Sequence, residues 1–307
     1  RRVLFRSPLK VYLFSNSWLG ENTQFALLLG VVCGMLAGLL SYYILTIKSD
    51  PRKSIQLGIK NNQFYVVYQP VVKADTLQIS GVEVLMRWRH PVVGEIPPDV
   101  FINLAETQQM IVPLTHHLLM LIARDAPTLQ RILPRGTKLG LNISPAHLHA
   151  AGFQQDMQRF AAALPANYFD VVLEITERSM IDKNQSMAIF EWLHQQGFEI
   201  AIDDFGTGHS ALIYLERYNF DYLKIDRGFV QAIGTETVTS PVLDAVLTLS
   251  RRLQLKTVAE GVETPEQAEW LRAHGVKYLQ GYCFSRPLPL DKLVAAHDEP
   301  ANYFTSR

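Results

Sequence analysis

From residue 63 onward the chain alternates between two hydrophobic rhythms. Short apolar runs rich in Val, Ile, Leu and Tyr recur at residues 64–68, 81–87, 138–143, 171–175, 200–203, 222–225, 257–259 and 278–279, and each predicts a strand. Between most of them apolar residues fall at helical spacing. MAIFEWLHQQG, residues 187–197, ends on a glycine stop. SPVLDAVLTLSRRL (240–253) and TPEQAEWLRAHG (264–275) each open on a hydroxyl cap followed by Pro, and the second closes on Gly. Strands alternating with helices predict an α/β fold with a mostly parallel sheet. Eight such strands within one domain's length match a (β/α)8 barrel. The alternative is an open doubly wound sheet, but no G-x-G-x-x-G follows the first strand.

A third pattern precedes these. Residues 25–47, FALLLGVVCGMLAGLLSYYILTI, carry no charge and are long enough to cross a bilayer. A signal peptide has a shorter apolar region, and a buried core helix is the other alternative. Tyr42 and Tyr43 sit near the exit, as in an interfacial belt. Lys48, Arg52, Lys53 and Lys60 follow closely, whereas Arg1, Arg2, Arg6 and Lys10 stand farther off, which places the C-terminal side in the cytoplasm. Gly30, Gly34 and Gly38 repeat on one helix face; that stripe suits a dimer seam, and equally the ordinary glycine content of membrane helices. The expected organisation is an extracytoplasmic remnant (1–24), a transmembrane helix (25–47), a polar linker (48–62) and a barrel domain (63–298). The chain opens on Arg rather than Met, as a fragment would.

Composition adds exclusions. Lys+Arg and Asp+Glu balance at 29 each, which argues against a duplex nucleic-acid partner. The two cysteines, Cys33 and Cys283, lie in segments of opposite character, so no disulfide is expected.

The candidate chemistry lies at the strand ends. Glu83 and Arg87, Asn142, Glu174, Asp203 and Asp204, Lys224 and Asp226, Glu260 and Gln280 each stand toward the end of a strand candidate, with Glu177 and Glu263 just beyond two of them. In a parallel barrel these ends meet at one rim, where barrel active sites lie. Converging carboxylates repel unless cations hold them. The donors are hard oxygens with no His or Cys among them, which selects Mg²⁺ or Mn²⁺. Adjacent Asp203 and Asp204 suit two ions about 4 Å apart, an arrangement used in phosphoryl chemistry. Lys224 adds positive charge for an anionic substrate. Any one of these residues alone is more often a solvated strand-end group, and the recurrence is what carries the inference. Gly206 and Gly208 fit a mobile loop that positions the Asp pair, or plain turn punctuation.

Together these residues resemble the EAL-domain family of cyclic di-GMP phosphodiesterases. The signature stands as Glu83-Val84-Leu85 followed by Met86 and Arg87. YQPVV (68–72), LNISP (141–145), LEITE (173–177), DDFGTG (203–208), LKID (223–226), AEGVE (259–263) and QGY (280–282) follow in the family's order. The resemblance implies a TIM-like barrel whose first strand runs antiparallel to the others. It implies that Glu83, Asn142, Glu174 and Asp203 hold one metal and that Asp203, Asp204 and Glu260 serve a second. It also implies that Lys224 orients the attacking water, with Glu260 sharing in its activation and Gln280 completing the shell. Gln69 and Arg87 look like substrate contacts, Glu177 like the anchor of the DDFGTG loop at a dimer interface, and Asp226 and Glu263 like supporting residues. The implied reaction is hydrolysis of cyclic di-GMP to linear pGpG by a homodimer in the bacterial inner membrane, its barrel in the cytoplasm. Three departures stand out: Val84 replaces Ala in the signature, His209-Ser210-Ala211 follow DDFGTG, and Asn103 stands where Pro is common. None removes a proposed ligand. The alternatives are a catalytically silent cyclic di-GMP receptor and an enolase-type lyase with a Lys base.

Overall fold

All eight expected strands form, and they close into a ring. The structure is a computed structural model that describes residues 23–47, 50–176, 179, 183–205, 215, 217–234 and 241–298. The chain divides into two compact units, Arg1–Ser54 and Ile55–Arg307.

The first unit is described through one helix, α1 (Thr23–Ile47), of 25 residues. Its side chains are described at 27–39 and at 41, and those apolar residues, Leu27, Leu28 and Leu36 among them, are exposed. Among the described residues no helix is long and apolar enough to cross a membrane. The span expected at 25–47 therefore remains an expectation of the sequence. Residues 1–22 lie outside the described residues.

In chain order there follow α2 (Pro51–Lys60), β1 (Phe64–Lys73), β2 (Ile79–His90), β3 (Gly94–Ile96), α3 (Pro98–Thr107), α4 (Ile111–Ile132), β4 (Thr137–Asn142), α5 (Pro145–Leu148), α6 (Phe153–Ala163) and β5 (Phe169–Thr176). Then come α7 (Lys183–Gln195), β6 (Glu199–Phe205), β7 (Tyr222–Ile225), α8 (Arg227–Gln231), α9 (Pro241–Arg252), β8 (Lys256–Ala259), α10 (Pro265–Ala273), β9 (Tyr278–Leu279) and α11 (Leu290–Asp298). The stretch expected as a polar linker thus contains a helix, α2, because Ile55 and Gly58 put a small apolar face on it that buries.

The strands run in the order β1-β9-β8-β7-β6-β5-β4-β2-β3, and β1 also pairs with β2, so eight strands form a closed barrel with β3 as a hairpin extension. β2 and β4 through β9 are mutually parallel. β1 is antiparallel to both neighbours, from Phe64↔Trp88 to Val72↔Ile79 on one side and at Val72↔Leu279 on the other. A closed ring excludes the open doubly wound sheet.

Strand side chains alternate between faces, and here the two sets pack in separate places. Leu139, Leu141, Leu173, Ile175, Ile200, Ile202, Leu223 and Ile225 belong to the large buried cluster that includes helix residues such as Leu118, Ile122, Phe160 and Leu193. Val172, Ala201, Tyr222 and Val258, on the opposite parity, form a second small cluster. With Gly140 and Val82 they line a cavity of about 40 Å³, room for a water or two. One step further along each strand, the same inward parity reaches the residues that carry chemistry.

Candidate active site

Counting by twos along each strand gives the site. Lys138-Gly140-Asn142, Val172-Glu174, Ala201-Asp203, Tyr222-Lys224, Val258-Glu260 and Tyr278-Gln280 each lead from the interior to one mouth of the barrel. Register aligns them: Asn142 pairs with Glu174, Thr176 with Asp203, and Gln69 on β1 with Glu83 on β2. Glu260 and Gln280 lie just past β8 and β9, where their backbone N–H groups still donate to Ile225 and Ala259.

Lys224 is at the centre. It is 3 % exposed, and its Nζ lies 2.5 Å from Glu174 Oε2, 2.5 Å from Glu260 Oε1, 3.5 Å from Asp203 Oδ2 and 3.8 Å from Glu83 Oε1. Asn142 Nδ2 donates to Glu83 Oε1 (2.8 Å) and Gln280 Nε2 to Glu83 Oε2 (2.7 Å). Four carboxylates share one ammonium with three protons to give.

Burial and mutual repulsion act on each group differently. Burial alone would push Glu83 up, but the Lys224 charge and the bonds from Gln280 and Asn142 outweigh it, and the carboxyl sits below its usual value. Glu174, buried beside Glu83 and Asp203, is raised well above the carboxylate range although Lys224 opposes the shift. Glu260 is pushed up to about 7 by burial and by Asp203 and Glu83. Burial would lower Lys224, yet the surrounding carboxylates raise it well above the ordinary lysine value, so it stays charged. Two acids driven toward protonation mark an excess of negative charge that one ammonium does not neutralise. The donors are oxygens of carboxylates and an amide, so the residues present fit hard divalent cations.

The remaining expected residues divide. Gln69 is half-buried, with Nε2 donating to the Ser285 carbonyl at 3.3 Å. Arg87 does not join the carboxylates; its Nη1 donates to the Met86 carbonyl (2.8 Å). It lines a groove of about 820 Å³ that runs from Asn142 and Glu174 past Ser144 to Phe101, Ile102 and Asn103. Asp226 is turned to a helix end, where its carboxylate accepts from the Gly228 N–H at 2.8 Å and caps α8. Glu263 is exposed, and its backbone N–H donates to Gln267 Oε1. Neither reaches the cluster, because Asp226 starts a helix and Glu263 already lies in the loop before α10. Glu177, the 206–214 loop with its glycines, and the Asp204 side chain lie outside the described residues.

One participant was not anticipated. Gly140 lies beneath Glu174, and a Cβ there would overlap Glu174 Oε1 and stand 3.6 Å from the Glu83 Cα. A glycine inside a strand pattern is the signal that marks such a close approach.

Residues 52–287 match the family model described as EAL domain. The chain is 60% identical, over 287 residues, to the probable cyclic di-GMP phosphodiesterase PdeN of Escherichia coli (strain K12); the match covers 94% of this chain and 55% of that protein. It is 39% identical over 244 residues to the cyclic di-GMP phosphodiesterase PdeL of the same organism, covering 79% of this chain and 67% of that one. The solved structure of the PaMucR phosphodiesterase in complex with c-di-GMP is 35% identical, with a TM-score of 0.71, over 78% of this chain and 98% of that one. The chain spans about half the length of the first of these relatives.

Proposed function

The chain belongs to the EAL-domain family, and on that premise we propose that it hydrolyses cyclic di-GMP to linear pGpG. The observation that carries this reading is the convergence of Glu83, Glu174, Asp203 and Glu260, from four different strands or their ends, within 3.8 Å of one buried ammonium. One relative of the chain is named a probable cyclic di-GMP phosphodiesterase and another a cyclic di-GMP phosphodiesterase, and the donor chemistry supports two Mg²⁺ or Mn²⁺ ions. Glu83, Asn142, Glu174 and Asp203 would hold one, and Asp203, Asp204 and Glu260 the other. When bound, such ions offset the charge that develops on the transferring phosphoryl group and ease loss of a proton from water.

The chain's own residues do the rest. Lys224 is a fixed donor that orients the attacking water, and Glu260, whose Oε1 lies 2.5 Å from its ammonium, shares in activating it. Glu83 is held ionised by the Lys224 charge and by the bonds from Gln280 and Asn142. Gln69 and Arg87 position the substrate, Arg87 against a phosphate, and the groove beside Arg87 has the volume for part of a dinucleotide.

The test is an assay of the full chain on cyclic di-GMP. Turnover to pGpG is expected with Mg²⁺ or Mn²⁺, with none after chelation, and Glu83→Ala should lower it at least about 100-fold. Nucleotide binding without turnover by the wild type in metal would instead favour the silent receptor.

The same proposal places the chain in the bacterial inner membrane through residues 25–47, with the barrel in the cytoplasm. The uncharged, apolar sequence of residues 25–47 supports it. Extraction from membranes by detergent but not by salt is the expected behaviour. A homodimer completes the reading. It is supported by the four-residue spacing of Gly30, Gly34 and Gly38, which puts small residues on one helix face, and is tested by the mass of the detergent-solubilised chain.

A further inference from the structure

Away from the barrel mouth, three side chains from three helices converge. His116 lies on α4, His147 on α5 and Asp156 on α6. Asp156 Oδ2 lies 2.6 Å from His116 Nε2 and 3.2 Å from His147 Nε2, and one ligand-type atom from each residue falls within 4.8 Å of the other two. Exposure is graded: the side chains of His147, Asp156 and His116 are 0%, 10% and 48% exposed.

Two imidazole nitrogens and one carboxylate oxygen differ in kind from the all-oxygen set at the barrel mouth. They are the donors of a borderline divalent ion, zinc above all. The His147 ring is fixed edge-on against Phe153 and His116.

We propose that His116, His147 and Asp156 form a binding site for a zinc-class divalent cation, with a fourth position open to water. Ligands about 2.1 Å from one ion stand about 3.4 Å apart in a tetrahedral site. His147 and Asp156 already have that spacing. His116, the half-exposed member, is the one able to move to match it. The ion would tie α5, which begins three residues after Asn142, to α4 and α6.

The test is a Co²⁺ titration of the metal-stripped full chain, read by visible ligand-field absorption. The expected result is an intense four-coordinate band at one equivalent, displaced by Zn²⁺ and retained in Glu83→Ala. His116→Ala and Asp156→Asn should each weaken binding at least about tenfold and abolish the band. His116 is half exposed, so its variant should fold, which near-ultraviolet circular dichroism checks. Absence of the band in the wild type overturns the proposal. So does a band of equal strength in both variants; either result leaves only a hydrogen-bonded His–Asp–His chain. The hydrolysis assay is unaffected by either outcome, so the two readings fail separately.

Discussion

At the scale of single residues, the site depends on small side chains as much as on charged ones. Glu174 reaches Lys224 only because Gly140 leaves room beneath it. Gly140→Ala inserts one methyl group where the carboxylate oxygen now sits, and the surrounding strands leave Glu174 nowhere to go but away from Lys224. A displacement of about 1 Å at a reacting centre costs on the order of 100-fold in rate. We expect that loss in kcat with nearly unchanged far-ultraviolet circular dichroism, both measured on the same purified variant. The charged members of the cluster were legible in the sequence because such residues recur on or just past successive strand candidates. Asp226 and Glu263 fit the same motifs but face elsewhere, since a motif records spacing along the chain and not the direction of a side chain once a helix or loop begins.

At the scale of elements, the segment bearing Glu260 is held from behind. Thr264 accepts from the Gln267 N–H while Gln267 Oε1 accepts from the Thr264 and Glu263 N–H groups, a reciprocal capping box at the start of α10. Gln267 Nε2 also reaches the Val230 carbonyl of α8. Thr264→Ala should therefore cost about 1 kcal/mol of stability, seen as a lower urea midpoint, while KM for the substrate stays unchanged. This helix start was readable from Thr-Pro. Other elements were less so. β3 has only three residues, too few to show a period. α2 hid its apolar face among charges, with only Ile55 and Gly58 buried. The reversed direction of β1 left no trace in the alternation of its residues, because an apolar-polar rhythm reads the same from either end; only the family resemblance implied it.

At the scale of the whole molecule, the barrel has two charged mouths. Opposite the acidic one, Glu199 at the start of β6 receives Lys138 Nζ at 2.6 Å, Lys256 Nζ at 3.2 Å and the Tyr222 hydroxyl. Burial would raise Glu199, but the bond and charge of Lys138 and those of Lys256 outweigh it, and its carboxyl is held below the ordinary 4.5. An acid depressed on folding contributes stability that is fully present above its unfolded value and lost as pH falls through the folded one. The urea midpoint should thus drop as pH is lowered below about 4.5, and Glu199→Gln should flatten part of that fall. The eight-stranded ring itself was legible as a count of strands, whereas its closure was not, because only Val72 and Lys73 of β1 pair with β9.

The reversal of β1 decides where the polypeptide enters the barrel. A first strand parallel to the rest would begin at the Glu199 end. Here Phe64 pairs with Trp88, beyond Glu83 on β2, and the preceding residue, Gln63, accepts from both the Trp88 indole and the Arg89 backbone. Residues 55–63 are therefore fastened to the rim that holds Arg87 and the reacting groups. The chain thus joins the barrel one residue from Arg87, at the mouth that carries the chemistry and not at the far one.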